Sequence, residues 1–276
     1  MIHHTTNETT TKVGQSIATI IADTVSSDGK RITTFELVYP RYIHSELMTH
    51  RVFSRNASSS RATPLSVTLD EVRNDPVFFD YVGVNKPGMV AGESLDGGDL
   101  EEFQADWNNL ADFVANEVEY MSKKYNIHKQ TLNRALEPWL RIRTLVTATD
   151  WDNWFALRLA PDAQPEIRSL ALAMKEAMDE SKPKKDDVHL PYITAAELAD
   201  EDVELLVWFK VSVARCARVS YARHDGKDSM IEEDVKLHNR LLMGGHFSPF
   251  EHIARSGDGR FANFEGWQSY RHRLGK

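Results

Sequence analysis

Hydrophobic and polar positions change period several times along the chain, and each change marks an element. Val13–Val25 (V-G-Q-S-I-A-T-I-I-A-D-T-V) reads as a strand, and Arg31–Val38 (R-I-T-T-F-E-L-V), rich in β-formers and partly alternating, reads as its hairpin partner. Ser26–Lys30 between them is a turn in which Gly29 can take a positive φ. Pro40 closes the second strand and opens a helix with Ile43, Leu47 and Met48 inward, which leaves His44, Glu46, His50 and Arg51 near its end. Asp99 can cap a long helix to about Tyr125, with Phe103, Trp107, Leu110, Phe113, Val114, Val118 and Met121 as its core stripe. A helix is expected over His128–Leu140, a strand over Arg141–Thr147 and a helix capped by Asp150. Pro165 starts another helix, whose stripe is Ile167, Leu170, Ala171, Met174 and Met178. Asp202–Ser220 reads as helical and Tyr221–Lys227 as a turn. Ile231–Met243 is an amphipathic helix with Val235, Leu241 and Leu242 inward, stopped by Gly244-Gly245.

Mixed strands and helices of this kind indicate an α+β fold, an antiparallel sheet flanked by helices. The 276 residues suffice for one substantial core, and we expect a single domain over 1–276. Within it, 1–12 reads as a frayed tail, 76–98 as a lid or a surface insertion, and 181–190 as a charged linker. The formal net charge of -8 argues against nonspecific binding to nucleic acid or anionic membrane, and no apolar run approaches a membrane span. Cys216 is the only cysteine, so an intrachain disulfide and a thiolate metal cluster are excluded and a cytosolic setting fits. Its apolar, helix-like surroundings read as a buried structural thiol rather than a nucleophile.

Against that acidic background, Glu46–Pro64 (E-L-M-T-H-R-V-F-S-R-N-A-S-S-S-R-A-T-P) stands out. His50, Arg51, Arg55 and Arg61 lie among Ser54, Asn56, Ser58, Ser59, Ser60 and Thr63, with no carboxylate after Glu46. Guanidinium forks match phosphate oxygens, and hydroxyls with loop N–H groups can complete a cradle for a small anion. The plain alternative is a solvated Ser-rich loop.

The stretch resembles the signature of the flavin-dependent thymidylate synthases: Arg-His-Arg, seven residues, Ser, and an Arg two positions later. Here it reads Thr49-His50-Arg51, seven residues, Ser59-Ser60-Arg61, with Thr49 for the first Arg and Ala57 where the family usually has Glu. A second segment, W-D-N-W-F-A-L-R-L-A-P-D-A-Q-P-E-I-R, is similar to the family's Asn, then Arg five on, then His-Ala-Gln-Trp-Glu-Ile-Arg; Asp162 and Pro165 replace the His and Trp. A third, Gly245–His252 (G-H-F-S-P-F-E-H), matches Gly-His-X-Ser/Thr-Pro-X-Glu-His. A metal reading of His246, Glu251 and His252 is disfavoured, because the spacing fits no zinc helix motif and Pro249 interrupts.

The resemblance implies an enzyme that methylates C5 of dUMP with FAD, taking its one-carbon unit from methylenetetrahydrofolate and its electrons from NADPH. It implies that Arg158 contacts the uracil edge and favours its ionisation, and that Arg61, Arg134 (four before Pro138) and Ser58, Ser59 and Ser60 hold phosphate and sugar. Glu46, where the family often has Gln, would face the pyrimidine. Thr49, His50, Arg51, Asn153, His246 and Ser248 would contact flavin, while a second flavin Asn falls at Thr147. It further implies a homotetramer with active sites shared between chains. The third segment usually precedes the first, so the segment order here is permuted. Three alternatives stay open: a relative acting on another pyrimidine nucleotide such as dCMP, a non-catalytic nucleotide-binding protein, and a simple structural or interaction domain, which the agreement of three separate motifs disfavours. The tail G-R-F-A-N-F-E-G-W-Q-S-Y-R-H-R, with Arg260, Trp267, Tyr270, Arg271 and Arg273, either closes over a ring ligand or anchors an interface.

Overall fold

The computed structural model describes residues 9–219 and 230–276. Its elements in order are β1 (Thr10–Val13), β2 (Ser16–Val25), β3 (Arg31–Pro40), α1 (His44–Leu47), β4 (Ser54–Ala57), α2 (Leu65–Asn74), α3 (Gly97–Tyr125), α4 (Lys129–Leu132) and β5 (Arg141–Ala148). Then follow α5 (Asp152–Arg158), α6 (Pro165–Glu180), β6 (Lys184–Lys185), β7 (Val188–His189), α7 (Ala195–Leu198), α8 (Leu205–Ala217), α9 (Ile231–Met243), β8 (Ala254–Phe261), β9 (Phe264–Ser269) and α10 (Tyr270–Arg273). Single 3-10 segments cover Arg41–Ile43, Asn133–Trp139 and Ser248–Glu251.

The fold is α+β, with antiparallel sheets and helices. The main sheet runs β1-β2-β3-β5-β4, and β6 adds to β2 in parallel. A second sheet, β7-β8-β9, is antiparallel. Strands β3 and β5 are buried on both faces, because alternate side chains enter two different cores. Phe35, Leu37, Tyr39, Ile142 and Val146 pack with Ile167, Leu170, Ala171 and Met174 of α6. Leu145, on the opposite face of β5, packs with Trp208, Phe209 and Val213 of α8. A third cluster joins α2 and α3 through Leu69, Val72, Ala111, Ala115 and Val118.

Several expected boundaries move, each for a local reason. The strand predicted over Val13–Val25 is β2 from Ser16 onward, while Val13 ends a separate strand, β1, that folds back on it at Gly14. Gly14 has φ +53°, and a Cβ there would come within 2.3 Å of the Asp80 carboxylate, which accepts the Gln15 N–H at 3.0 Å. Thr10–Lys12, expected to fray, are therefore paired in β1; residues 1–8 lie outside the described residues. In α3 the stripe is narrower than predicted: Leu110 and Phe113 are exposed, and the small residues Ala111 and Ala115 face the core instead. Met48 also points outward. Asp150 sits one position before the N-cap Trp151, although its carboxylate does accept the Asp152 N–H at 3.2 Å.

The charged stretch 181–190 is no free linker. It carries β6 and β7 and ends in His189 and Leu190, both buried. The helix predicted over Asp202–Ser220 is the shorter α8, and the predicted Tyr221–Lys227 turn lies outside the described residues. In α9 the deepest positions are Asp234, Leu237, His238 and Leu241, with Val235 and Leu242 at the margin. Gly245, φ +71°, terminates it as expected. The tail is a hairpin whose Trp267 is fully buried with Ile32, Ala254 and Phe264, while Tyr270 packs on Phe209, His238 and Phe250. Trp267 is a core residue, and Tyr270 is half-buried against the α8–α9 cluster.

Candidate active site

The loop predicted between Glu46 and Pro64 contains a strand. β4 pairs with β5 in the register Ser54↔Thr147 to Ala57↔Thr144, so the loop is pinned along the sheet edge. Asn56 reaches the other way and donates from Nδ2 to the Cys216 carbonyl of α8 at 2.9 Å. The 3-10 segment Ser248–Glu251 packs against β4. The first and third motifs, far apart in sequence, thus meet at one edge.

Arg158, the last residue of α5, binds back onto the start of the loop. Its Nε–H donates to His50 Nε2 at 3.0 Å and its Nη2 to Thr49 Oγ1 at 3.2 Å, while Nη1 lies 3.8 Å from the Glu46 carboxylate. Thr49 in turn donates to the Glu46 carbonyl at 2.7 Å. Because the guanidinium can only donate, His50 must present a lone pair at Nε2 and carry its proton at Nδ1. Burial and the positive charges of Arg158 and Arg55 hold the His50 pKa below its usual value, in agreement with that neutral state. His50 stands edge-on to Trp154 at 4.8 Å and stacks on Phe53 at 5.7 Å, which fixes its ring. Arg55 donates to the Met48 and His50 carbonyls at 2.8 and 3.1 Å and braces the turn from inside.

A second cluster forms around Glu137, a residue the sequence reading did not single out. Its Oε1 accepts from Ser60 Oγ at 3.0 Å and Arg134 Nη1 at 2.9 Å, and lies 3.1 Å from Arg41 Nε. The available signal was the three-residue spacing from Arg134 in a helical stretch, which puts the two side chains on one face. Asn133, fully buried, donates to the Ser60 carbonyl at 2.7 Å and to the Thr63 carbonyl at 3.1 Å. Ser58 continues the β4 pairing, its N–H donating to the Arg143 carbonyl at 2.8 Å and its Oγ accepting the Arg143 N–H at 3.2 Å. The Ser58 and Ser60 hydroxyls therefore shape the loop. Ser59 is half-buried, and Arg51 and Arg61 are exposed.

Asn153 lies exposed on α5, one residue before the Trp154 that seats His50. His246 and Ser248 are exposed beyond the end of α9. The cavity beside Ser54, Glu251, Asn263, Arg271 and Lys276 measures about 270 Å³, just under the roughly 300–1,000 Å³ usual for drug-sized ligands. Exposed guanidinium groups, with the half-buried Ser59 in the same loop, suit a phosphorylated ligand in their chemistry. Among the described residues no cluster of His, Cys, Asp or Glu could hold a metal ion, and no helix is long and apolar enough to cross a membrane. Cys216 is fully buried and its thiol pKa is pushed up by burial, which makes it a packing residue.

The edge of the α+β sheet gathers arginines, hydroxyls and one neutral histidine. The model of the Thymidylate synthase complementing protein family (Thy1) matches residues 30–184, more than half of the chain, and the chain belongs to that family. Among solved structures, it is similar to the UMP/dUMP methylase PolB from Streptomyces cacaoi bound with 5-Br UMP (TM-score 0.43, 18% identity, 54% of this chain and 70% of that one). It is also similar to thymidylate synthase X from Helicobacter pylori with FAD and dUMP (TM-score 0.36, 21% identity, 53% and 67%). No curated protein matches.

Proposed function

We propose that the protein is a flavin-dependent thymidylate synthase, converting dUMP to dTMP with methylenetetrahydrofolate as carbon donor and NADPH as reductant. The observation that carries this reading is the clasp of Arg158 on Thr49 and His50, which joins two of the three family-like segments at one point. FAD, when bound, supplies the reducing equivalents, and the chain's own residues bind, orient and polarise. Arg158 keeps N–H groups beyond those given to His50 and Thr49, and these can hold an electron-rich pyrimidine edge. Arg61 and Arg134 are the exposed cations for a phosphate, with Ser59 beside them. His50, Arg51, Asn153, His246 and Ser248 are the candidates to hold flavin. They are dispersed, which fits a homotetramer in which several chains complete each site.

Glu46 favours a second reading. A carboxylate near the base-binding arginine accepts hydrogen bonds, and the exocyclic amino group of cytosine offers a donor that uracil lacks. On that reading the substrate is a dCMP-type nucleotide. A flavin-free nucleotide-binding protein is the third outcome of the same test.

The test is the visible absorbance of the purified protein with FAD, followed by titration with dUMP and dCMP. A flavin band perturbed by dUMP alone supports thymidylate synthesis, and one perturbed by dCMP alone supports the second reading. Failure to retain flavin under any condition overturns the redox mechanism. Arg158→Ala, still folded and flavin-bound, should lose about a hundredfold in turnover; near-normal turnover would remove Arg158 from its role.

A further inference from the structure

Between the main sheet and β7–β9 runs an unbroken chain of buried polar side chains that the proposed function does not use. Thr24 Oγ1 lies 2.8 Å from His189 Nδ1, and His189 Nε2 lies 2.8 Å from Thr34 Oγ1. Thr34 Oγ1 lies 2.7 Å from Thr147 Oγ1, which lies 2.8 Å from His252 Nδ1. Thr34, Thr147, His189 and His252 are fully buried, and Thr24 nearly so. His252 closes the third motif, and Thr147 pairs with Ser54 at the motif-bearing edge. At the other end, Thr24 lines an open cleft of about 480 Å³ between β2 and α7. His252 Nε2 is buried with no hydrogen-bond partner among the described residues.

Each hydroxyl has one proton to donate, and each neutral imidazole has one N–H and one lone pair. With the Thr34 and Thr147 protons also donated within the chain, the four consecutive bonds admit only two arrangements. In one, every donor points toward His252, and both histidines carry their protons on Nε2. In the other, every donor points toward Thr24, and both carry them on Nδ1. A mixed arrangement leaves either one bond without a proton or a buried Thr34 or Thr147 hydroxyl proton without an acceptor in the chain.

We propose that Thr24, His189, Thr34, Thr147 and His252 form a proton relay between His252 Nε2, at the motif-bearing edge, and the cleft at Thr24. A proton arriving on His252 Nε2 releases the Nδ1 proton to Thr147. Thr147 passes its own to Thr34, Thr34 to His189 Nε2, and His189 Nδ1 to Thr24. The Thr24 hydroxyl proton leaves to water in the cleft. One proton enters, one leaves, and the chain is left in its other arrangement. Burial holds both histidines far below their usual pKa, at about 3, so neither stores the charge. The relay therefore works by concerted shift.

The test uses the full chain labelled with ¹⁵N-histidine. Ring nitrogen shifts should give His189 and His252 the same tautomer, and opposite tautomers overturn the relay. Exchange of the His252 ring proton with solvent should be at least about tenfold slower in Thr34→Val, while His189, still connected through Thr24, keeps its rate. Thr34→Ser should restore the His252 rate. An unchanged His252 rate in Thr34→Val makes the chain a static brace and overturns the proposal. Thr24→Val, at the cleft, supplies an independent interruption that should slow both rings. None of these readouts depends on substrate or turnover, so they stand apart from the proposed reaction.

Discussion

Arg158 directs its Nε–H to a neutral imidazole, and that one bond sets the protonation of His50. Remove the guanidinium and one of the two positive neighbours disappears while the burial remains. The His50 pKa should therefore rise in Arg158→Ala yet stay below the ordinary value of 6.5, as followed by the ring C–H shifts in an NMR titration. A His50 titration identical in wild type and variant would break the contact. Glu137 tests the second cluster. In Glu137→Gln, Ser60, Arg134 and Arg41 lose a charged acceptor, and a loss of about 1–3 kcal/mol in denaturant unfolding is expected.

Elements decide how the loop is held. A four-residue strand hidden in a Ser- and Arg-rich stretch gives no alternation to read, because β4 has β5 on one side and is half-buried by the 3-10 segment and α8. Its motif residues were legible in the sequence, while its conformation depended on a partner 93 residues away (Ser54↔Thr147). The β1–β2 turn is similar: Gly14 lies inside an otherwise β-like run, and it is where two strands separate. Gly14→Ala would force a positive φ on alanine and push its Cβ into Asp80. It should destabilise the protein by about 1–3 kcal/mol in urea unfolding, and an effect within about 0.5 kcal/mol would contradict the turn geometry.

At the scale of the whole molecule, two sheets and their helices enclose His189 and His252 as neutral rings. Their folded pKa values are depressed to about 3 from 6.5, so the unfolded chain binds protons that the folded chain refuses. Stability should be flat with respect to these groups above about pH 7 and fall as pH drops from 6.5 toward 3. Each histidine adds a slope of up to about 1.4 kcal/mol per pH unit. Urea midpoints from pH 7.5 to 4 measure it, and His189→Gln should flatten the profile. What the sequence by itself determined was local or compositional: the α+β class, the α6 stripe, the Gly29 turn and Gly245 cap, the buried Cys216, and the three family-like segments. Periodicity, turn chemistry and motif spacing act over a few residues, so they can be read from one chain. Only the tertiary structure decided that Arg158 returns to His50, that Glu137 meets Ser60 and Arg41, and that 181–190 contributes strands. Tertiary structure also joined Thr24 to His252 through the sheet. The pairings Ser60–Glu137, His50–Arg158 and Thr24–His189 span 77, 108 and 165 positions, and no local rule of spacing encodes a contact whose partners are matched by the stacking of layers.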